Sequence, residues 1–404
     1  MSQLWSPSLL EPEWYWKPEL FAGEQKTIFR NNWIFIGLKQ DIAEPNDYIS
    51  THIAGIPVIV RNMKGKLVGF RNVCSHRHSL IHPEGCGNAM FRCPYHGWTY
   101  DADGVPIGIP DNAKSFGYDK EAKKALALEL VAVDSCGDYV FARLAAEGPS
   151  LKTWLGPCAD ALELLSEFQP RVYGKIKAEW NCNWKSGVEI TMEGYHAPFV
   201  HPVTFGKHVG MVEATETLGD APLFDERLTA EPDSGFIKYA DPHSMSRGSL
   251  SPDSQHHLDT IATRLRIKRS PQFSGFDHFA IYPNFMIGVN HGVNTCIQLY
   301  MPISAGHMEA LCWLMTGEPD AKLDGGVIWE TATKGWRDWT EKNWLEDQRA
   351  CELVQTGVRH ATRRAIIGHA EERLLHIQNL WKKEANGVSS DMPEEDNFPL
   401  RAAS

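Results

Sequence analysis

Apolar residues first recur at helical spacing where Phe21, Ile28, Phe29 and Trp33 share one side of a 3.6-residue period. That spacing predicts a helix over Ala22–Trp33, inside an N-terminal helical segment of residues 1–40. From about Asp47 the pattern changes to strands. Ile56-Pro57-Val58-Ile59-Val60 and Leu67-Val68-Gly69-Phe70 flank Met63-Lys64-Gly65-Lys66, a hairpin signal, and Asp101-Ala102-Asp103-Gly104 marks another tight turn. With Val131-Ala132-Val133 and Tyr139-Val140-Phe141 as its last strands, residues 41–146 read as a small all-β domain. Glu147-Gly148-Pro149-Ser150 has the composition of a linker, and a second domain follows over 151–404. There Leu151–Phe168 and Trp184–Val200 read as helices, and 206–275 as a long polar irregular stretch that holds a lid or an insertion. Strand signals resume at Phe279–Tyr282, Cys296–Tyr300 and Ala310–Leu314; helices follow over Val327–Val358 and Ala370–Lys382, and the last dozen residues read as disordered. The predicted fold class is α+β.

Composition narrows the partners. The 404 residues are 43% hydrophobic and 23% charged, enough for a large core and unlike a disordered chain. Forty basic against 51 acidic residues leave a net charge of −11, and no basic cluster stands against it. Nucleic acid and anionic membrane are therefore not expected partners. No apolar run approaches the ~20 residues that span a bilayer, and Met1-Ser2-Gln3-Leu4-Trp5-Ser6-Pro7 lacks the basic-then-apolar pattern of a secretion signal. Nine cysteines, an odd number scattered from Cys74 to Cys351, suit a reducing compartment better than a disulfide framework. The expected location is cytoplasmic, with thiols that are free or hold a metal.

Four residues carry that second option. Cys74 and His76 form C-x-H, and after sixteen residues Cys93 and His96 form C-x2-H. Each half pairs a soft thiolate with an imidazole in a β-rich segment, the ligand set of a Rieske [2Fe–2S] centre, in which one iron takes two cysteines and the other two histidines. Two Cys and two His can also hold tetrahedral zinc, although zinc sites more often place like ligands together. His78, His82 and Cys86 fall outside the spacing and read as turn or supporting residues. The runs Asn72-Val73-Cys74-Ser75-His76-Arg77 and Cys93-Pro94-Tyr95-His96-Gly97-Trp98 resemble the Rieske domain of the Rieske non-haem iron ring-hydroxylating oxygenases, in their large (α) subunit, the terminal oxygenase component. The resemblance implies an all-β Rieske domain, a catalytic domain of antiparallel sheet with helices, helix-grip-like, and an N-terminal segment packed on the catalytic domain.

An oxygenase differs from an electron carrier by a mononuclear iron site, built from two histidines and a carboxylate with positions left open. Asn183-Trp184-Lys185, then Glu193-Gly194-Tyr195-His196 and His201, resemble the family's N-W-K and D/E-x2-H-x4-H stretches. His196 and His201 lie ~140° apart on an ideal helix, so both reach one metal only if the helix ends or bulges between them. Pro198 and Pro202 supply such an ending. The third ligand is expected at Asp347, on a stripe with Trp336, Trp339, Asn343, Cys351 and Val354, where a carboxylate among apolar residues needs a cation. Its neighbour Glu346 is the rival. By resemblance, Glu193 is an electron bridge from His96 of a neighbouring subunit to His196, and Ile190 stands where many relatives carry Asn.

The resemblance implies an oxidoreductase that carries one [2Fe–2S] cluster and one Fe(II) per chain and activates O2 to hydroxylate a small organic substrate as a mono- or dioxygenase. Electrons would come from NAD(P)H through a separate reductase, with or without a ferredoxin, since no G-x-G-x-x-G follows a strand here. A homotrimer, with or without a small β subunit, is the expected assembly. Glu371-Glu372-Arg373-Leu374-Leu375 and Trp381 resemble α subunits of aromatic hydrocarbon catabolism, whereas Glu193 and His201-Pro202 resemble the branch that demethylates or hydroxylates quaternary ammonium compounds. An aromatic substrate is the first expectation, with a quaternary amine second. A Rieske electron carrier and a zinc-stabilised structural protein are the non-enzymatic alternatives.

Overall fold

The computed structural model describes residues 5–201, 217–218, 236–248 and 250–386. The chain divides into two compact units: Ile28–Trp154, and the residues up to Thr27 together with those from Leu155 onward. The first unit begins earlier than residue 41 because Ile34–Leu38 is a fully buried strand paired with Tyr139–Arg143. The expected helix over Ala22–Trp33 is correspondingly shifted toward the N-terminus, an α-helix Pro18–Glu24 continued by a π-turn over Gln25–Phe29.

Unit Ile28–Trp154 is built on an antiparallel seven-stranded sheet in the order Ile34–Leu38, Tyr139–Arg143, Leu130–Cys136, Lys66–Arg71, Ile56–Met63, Asp47–Ile53, Gly85–Asn88. The predicted hairpin pairs Met63 with Lys66, and its turn residues Lys64 and Gly65 both take positive φ, which matches the right-handed twist of the flanking strands. A core of Tyr48, Ile59, Phe70, Phe91, Trp98 and Tyr100 encloses Cys74 and Cys93.

The other unit is an eight-stranded sheet whose order is Arg171–Trp180, His307–Thr316, Asn294–Ser304, Phe285–Asn290, Phe276–Ile281, His243–Gly248, Phe236–Ala240, Thr217–Leu218; only the last pair is parallel. Part of 206–275, expected to be irregular, is regular here: three of these strands and the helix Pro252–Leu265 lie within it. The strand His243–Gly248 escapes a hydrophobic reading because its buried residues include His243, Ser244 and Arg247. Helix Val327–Val358 runs 32 residues, as predicted. Leu151–Phe168 is instead two helices, Leu151–Leu155 and Cys158–Phe168, broken at Gly156, which takes a positive φ. The expected disorder at the end of the chain lies outside the described residues.

One unit built on an antiparallel sheet and a second of largely antiparallel sheet with helices set apart from it place the chain in the α+β class. No helix among the described residues is long and apolar enough to cross a membrane.

Candidate functional site

In the smaller unit, two similar loops hold the four predicted residues. In each, the cysteine carbonyl accepts a hydrogen bond from the amide four residues on: His78 N to Cys74 O and Gly97 N to Cys93 O, both 3.0 Å. His78 and Gly97 take the left-handed conformation, with φ of 59° and 73°, that turns each chain back. The thiols point inward, Cys74 and Cys93 being 1% and 2% exposed, while His96 is exposed. The rings of His76 and His96 lie 4.5 Å apart, and His76 stacks on Trp98 at 4.9 Å with an angle of 3° between planes.

These residues fit a [2Fe–2S] cluster. His76 Nδ1 is buried with no hydrogen-bond partner, a nitrogen whose lone pair suits a metal. The Tyr100 hydroxyl donates to Cys74 Sγ at 3.0 Å, as suits a thiolate. His82 belongs elsewhere: its Nε2 accepts from Arg61 Nη1 at 2.9 Å and its ring stacks on Tyr48. Cys86 is exposed on the strand Gly85–Asn88.

In the larger unit, Asn183-Trp184-Lys185 anchors the start of helix Trp184–Thr191. Asn183 caps it by accepting from Lys185 N, and its own amide group donates to Ala305 O. Lys185 Nζ is buried against Glu24 Oε1, whose other oxygen accepts from Trp184 Nε1 at 2.9 Å. Tyr15 and Gln378 both donate to Glu189 at the far end of the helix. Helix Trp184–Thr191 stops there, and a short helix Ala197–Val200 follows, with Pro198 in its first turn. The break after Thr191 precedes His196 and does not fall between the two histidines; it is the end of the short helix at Val200, where His201 leaves the helical conformation, that lets residues 196 and 201 converge.

His196, His201 and Asp347 each offer a ligand atom within 4.8 Å of the others. His196 Nε2 and His201 Nε2 are 3.2 Å apart, and Asp347 Oδ1 is 3.7 and 3.0 Å from them. The opposite ring edges are committed. His196 Nδ1 meets Glu193 Oε1 at 2.5 Å, and His201 Nδ1 meets Glu346 Oε2 at 2.9 Å. A carboxylate oxygen only accepts, so the ring protons sit on both Nδ1 atoms. Two Nε2 lone pairs and a carboxylate oxygen then face one another, an arrangement that a divalent cation satisfies. Burial pushes the Asp347 carboxyl up; burial also presses His201 down, but Asp347 and Glu346 outweigh it and raise its pKa. Both shifts express the same demand for positive charge. The donor set of two imidazoles and one carboxylate suits Fe(II).

Glu346 thus grips the outer edge of His201. Its sequence signal is only its place beside Asp347. The stripe through Asp347 is also corrected: Val354 is 52% exposed, and buried Gln355 takes its place because its side chain accepts from Asn183 N and donates to Tyr15 O. Trp339 is 39% exposed, yet it lines a cavity of about 1440 Å³ beside the triad, with Ile190, Phe276, His278, Trp336 and Asn343.

This pairing of a Cys2His2 cradle in an all-β unit with a His2Asp triad under a long helix defines an iron-dependent oxygenase architecture. Residues 32–128 match the family model of the Rieske [2Fe-2S] domain, and residues 169–385 that of the ring hydroxylating alpha subunit catalytic domain. The chain belongs to the Rieske non-haem iron ring-hydroxylating oxygenase α-subunit family. It is 32% identical over 197 residues to the glycine betaine monooxygenase oxygenase subunit of Chromohalobacter salexigens, a match covering 48% of this chain and 43% of that relative. The chain thus spans less than half the length of that relative in the match. It is 26% identical to the toluate 1,2-dioxygenase alpha subunit of Pseudomonas putida, covering 76% of this chain and 70% of that one. In fold it is similar to a quaternary ammonium Rieske monooxygenase solved with L-carnitine, with a TM-score of 0.72, 20% identity and 94% and 96% coverage of the two chains. It is similar also to naphthalene 1,2-dioxygenase with indole bound, with a TM-score of 0.67, 20% identity and 95% and 96% coverage.

Proposed function

We propose that this chain is the oxygenase component of a multi-protein system that hydroxylates a small aromatic compound, with Cys74, His76, Cys93 and His96 as cluster ligands and His196, His201 and Asp347 as iron ligands. The observation that carries this reading is the convergence of both Nε2 atoms with Asp347 Oδ1, in a chain that also holds the cluster cradle. When bound, the cluster supplies electrons one at a time and Fe(II) supplies the activation of O2. Glu193 and Glu346 keep the protons of His196 and His201 on Nδ1 and fix both rings in the ligating orientation. Glu193 is also the proposed electron bridge to a neighbouring subunit of a homotrimer. Phe276, Trp336 and Trp339 give the cavity apolar walls suited to an aromatic ring. The likeness to a quaternary ammonium monooxygenase supports the second reading, a quaternary amine held by the same aromatic rings.

Electrons are proposed to arrive from NAD(P)H through a separate reductase, with or without a ferredoxin. The test is metal analysis of protein purified under nitrogen, followed by NADH-dependent O2 consumption with a reductase across aromatic acids and quaternary amines. Iron near three per chain, two in the cluster and one in the triad, supports the oxygenase. Iron near two with no substrate-dependent O2 uptake leaves an electron carrier, and zinc leaves a structural protein.

A further inference from the structure

Behind one wall of the cavity lies a guanidinium that no carboxylate among the described residues pairs. Arg373 is 3% exposed, and among the described residues its guanidinium hydrogen-bonds only neutral groups: the side chains of Ser244 and Ser246, the carbonyls of Ser244 and Met192, and His278. Guanidinium cannot accept, so the 3.1 Å contact from Arg373 Nη1 makes His278 Nδ1 the acceptor and places the ring proton on Nε2. That Nε2–H is buried and has no partner.

His278 is itself 5% exposed and lines the cavity. The pairing of His278 with Gly288, and of Gly288 with Cys296, sets these residues in one row across the sheet, and all three line the cavity. Asn343 Nδ2, on the helix that carries Asp347, is a second buried nitrogen on the cavity wall without a partner. Burial and the adjacent Arg373 push the His278 imidazole far below its ordinary pKa, so it stays a neutral donor. A buried cation with no carboxylate partner among the described residues, behind a fixed N–H, favours an anionic oxygen over a quaternary ammonium group at this point of the wall.

We infer that His278, backed by Arg373, is the anchor for a carboxylate carried on an aromatic substrate, Nε2–H donating to the carboxylate oxygen. The inference rests on the oxygenase reading of the same cavity and selects between its two substrate classes. His278 here is a positioning residue that orients the ring toward the triad.

The experiment measures binding by calorimetry on anaerobic holoenzyme whose iron content has first been confirmed, so a failed oxygenase reading shows as missing triad iron before any ligand is added. The probes are benzoate and naphthoate, their neutral carboxamides, and benzyltrimethylammonium. Either carboxylate is expected to bind about tenfold or more tighter than its carboxamide, and benzyltrimethylammonium weakest of all. His278→Phe should weaken the carboxylate about tenfold and leave benzyltrimethylammonium unchanged, while His278→Gln, which keeps an N–H donor, recovers part of the loss. Should His278→Phe fail to retain iron, the comparison of carboxylate with carboxamide in His278→Gln and wild type carries the test. Tighter binding of benzyltrimethylammonium, no binding of either carboxylate, or carboxylate affinity indifferent to His278 would overturn the inference.

Discussion

Glu346 accepts a hydrogen bond from His201 at 2.9 Å, on the ring edge opposite the one that faces Asp347. Two adjacent acids on one helix thus take different sides of one imidazole, because successive helical residues are rotated by about 100°. Asp347→Ala should therefore abolish triad iron while the cluster spectrum persists. Glu346→Gln still offers a carbonyl acceptor to Nδ1, so iron should remain with affinity lowered about 10–100-fold. Iron titration followed by cluster absorbance checks both, and the reverse pattern would exchange the two roles.

Glu193 holds His196 twice, through Nδ1 and through the backbone amide at 3.0 Å. Glu193→Gln retains an acceptor of similar size, so both metals should stay in place. The negative charge on the imidazole is lost, and electron delivery should slow at least about tenfold. A single-turnover experiment, with the cluster reduced chemically before substrate and O2 are added, reads cluster reoxidation together with product. Reoxidation at the wild-type rate would leave Glu193 a helix residue and no bridge.

His82 gives the cluster-bearing unit a pH dependence. Burial and the Arg61 guanidinium hold its pKa down at about 4 against an ordinary 6.5. Below pH 6.5 the unfolded chain gains a proton that the folded chain refuses, so this contribution is complete above 6.5 and is lost as pH falls toward 4. The loss is about 3 kcal/mol over that window. Thermal unfolding of wild type and His82→Gln at stepped pH should show the wild-type slope between 6.5 and 4 flattened in the variant; equal slopes would mean that His82 titrates normally.

Lys185 and Glu24 form a wholly buried pair, and burial pushes each toward its neutral form, Glu24 up and Lys185 down. Glu24→Leu strands the lysine and should destabilise the chain by about 3–5 kcal/mol. Adding Lys185→Met removes the stranded charge and should restore much of that loss. Denaturant midpoints of the single and double variants measure the difference, and a double variant no better than the single would mean that the charge was not what destabilised it.

The cluster residues were legible because two loops fix their spacing, and the hydrogen bonds that close those loops repeat from Cys74 to Cys93. His196 and His201 were legible as a pair through their resemblance to a D/E-x2-H-x4-H stretch downstream of the cluster motif, since neither histidine stands out by any local period. His278 and Arg373 were not, since their meaning lies in a contact across 95 positions of sequence that no local period encodes. Gln355 was hidden for a related reason: a buried amide that satisfies two backbone groups reads as a surface residue when only hydrophobicity is followed.

The division of the chain has a bearing on biosynthesis. Ile28–Trp154 is one continuous stretch, whereas the other unit is assembled from segments on either side of it, joined by the pairing of Trp5–Pro7 with Ile366–Gly368 and the hydrogen bond from Ser8 to Gln378. A nascent chain leaves the ribosome from its N-terminus, so the cluster-binding unit can fold and acquire iron and sulfide while the oxygenase unit still lacks its closing helix. The strand around Trp5 must wait unpaired until Ile366–Gly368 has been synthesised. Folding of the two units can thereby be separated in time within a single polypeptide.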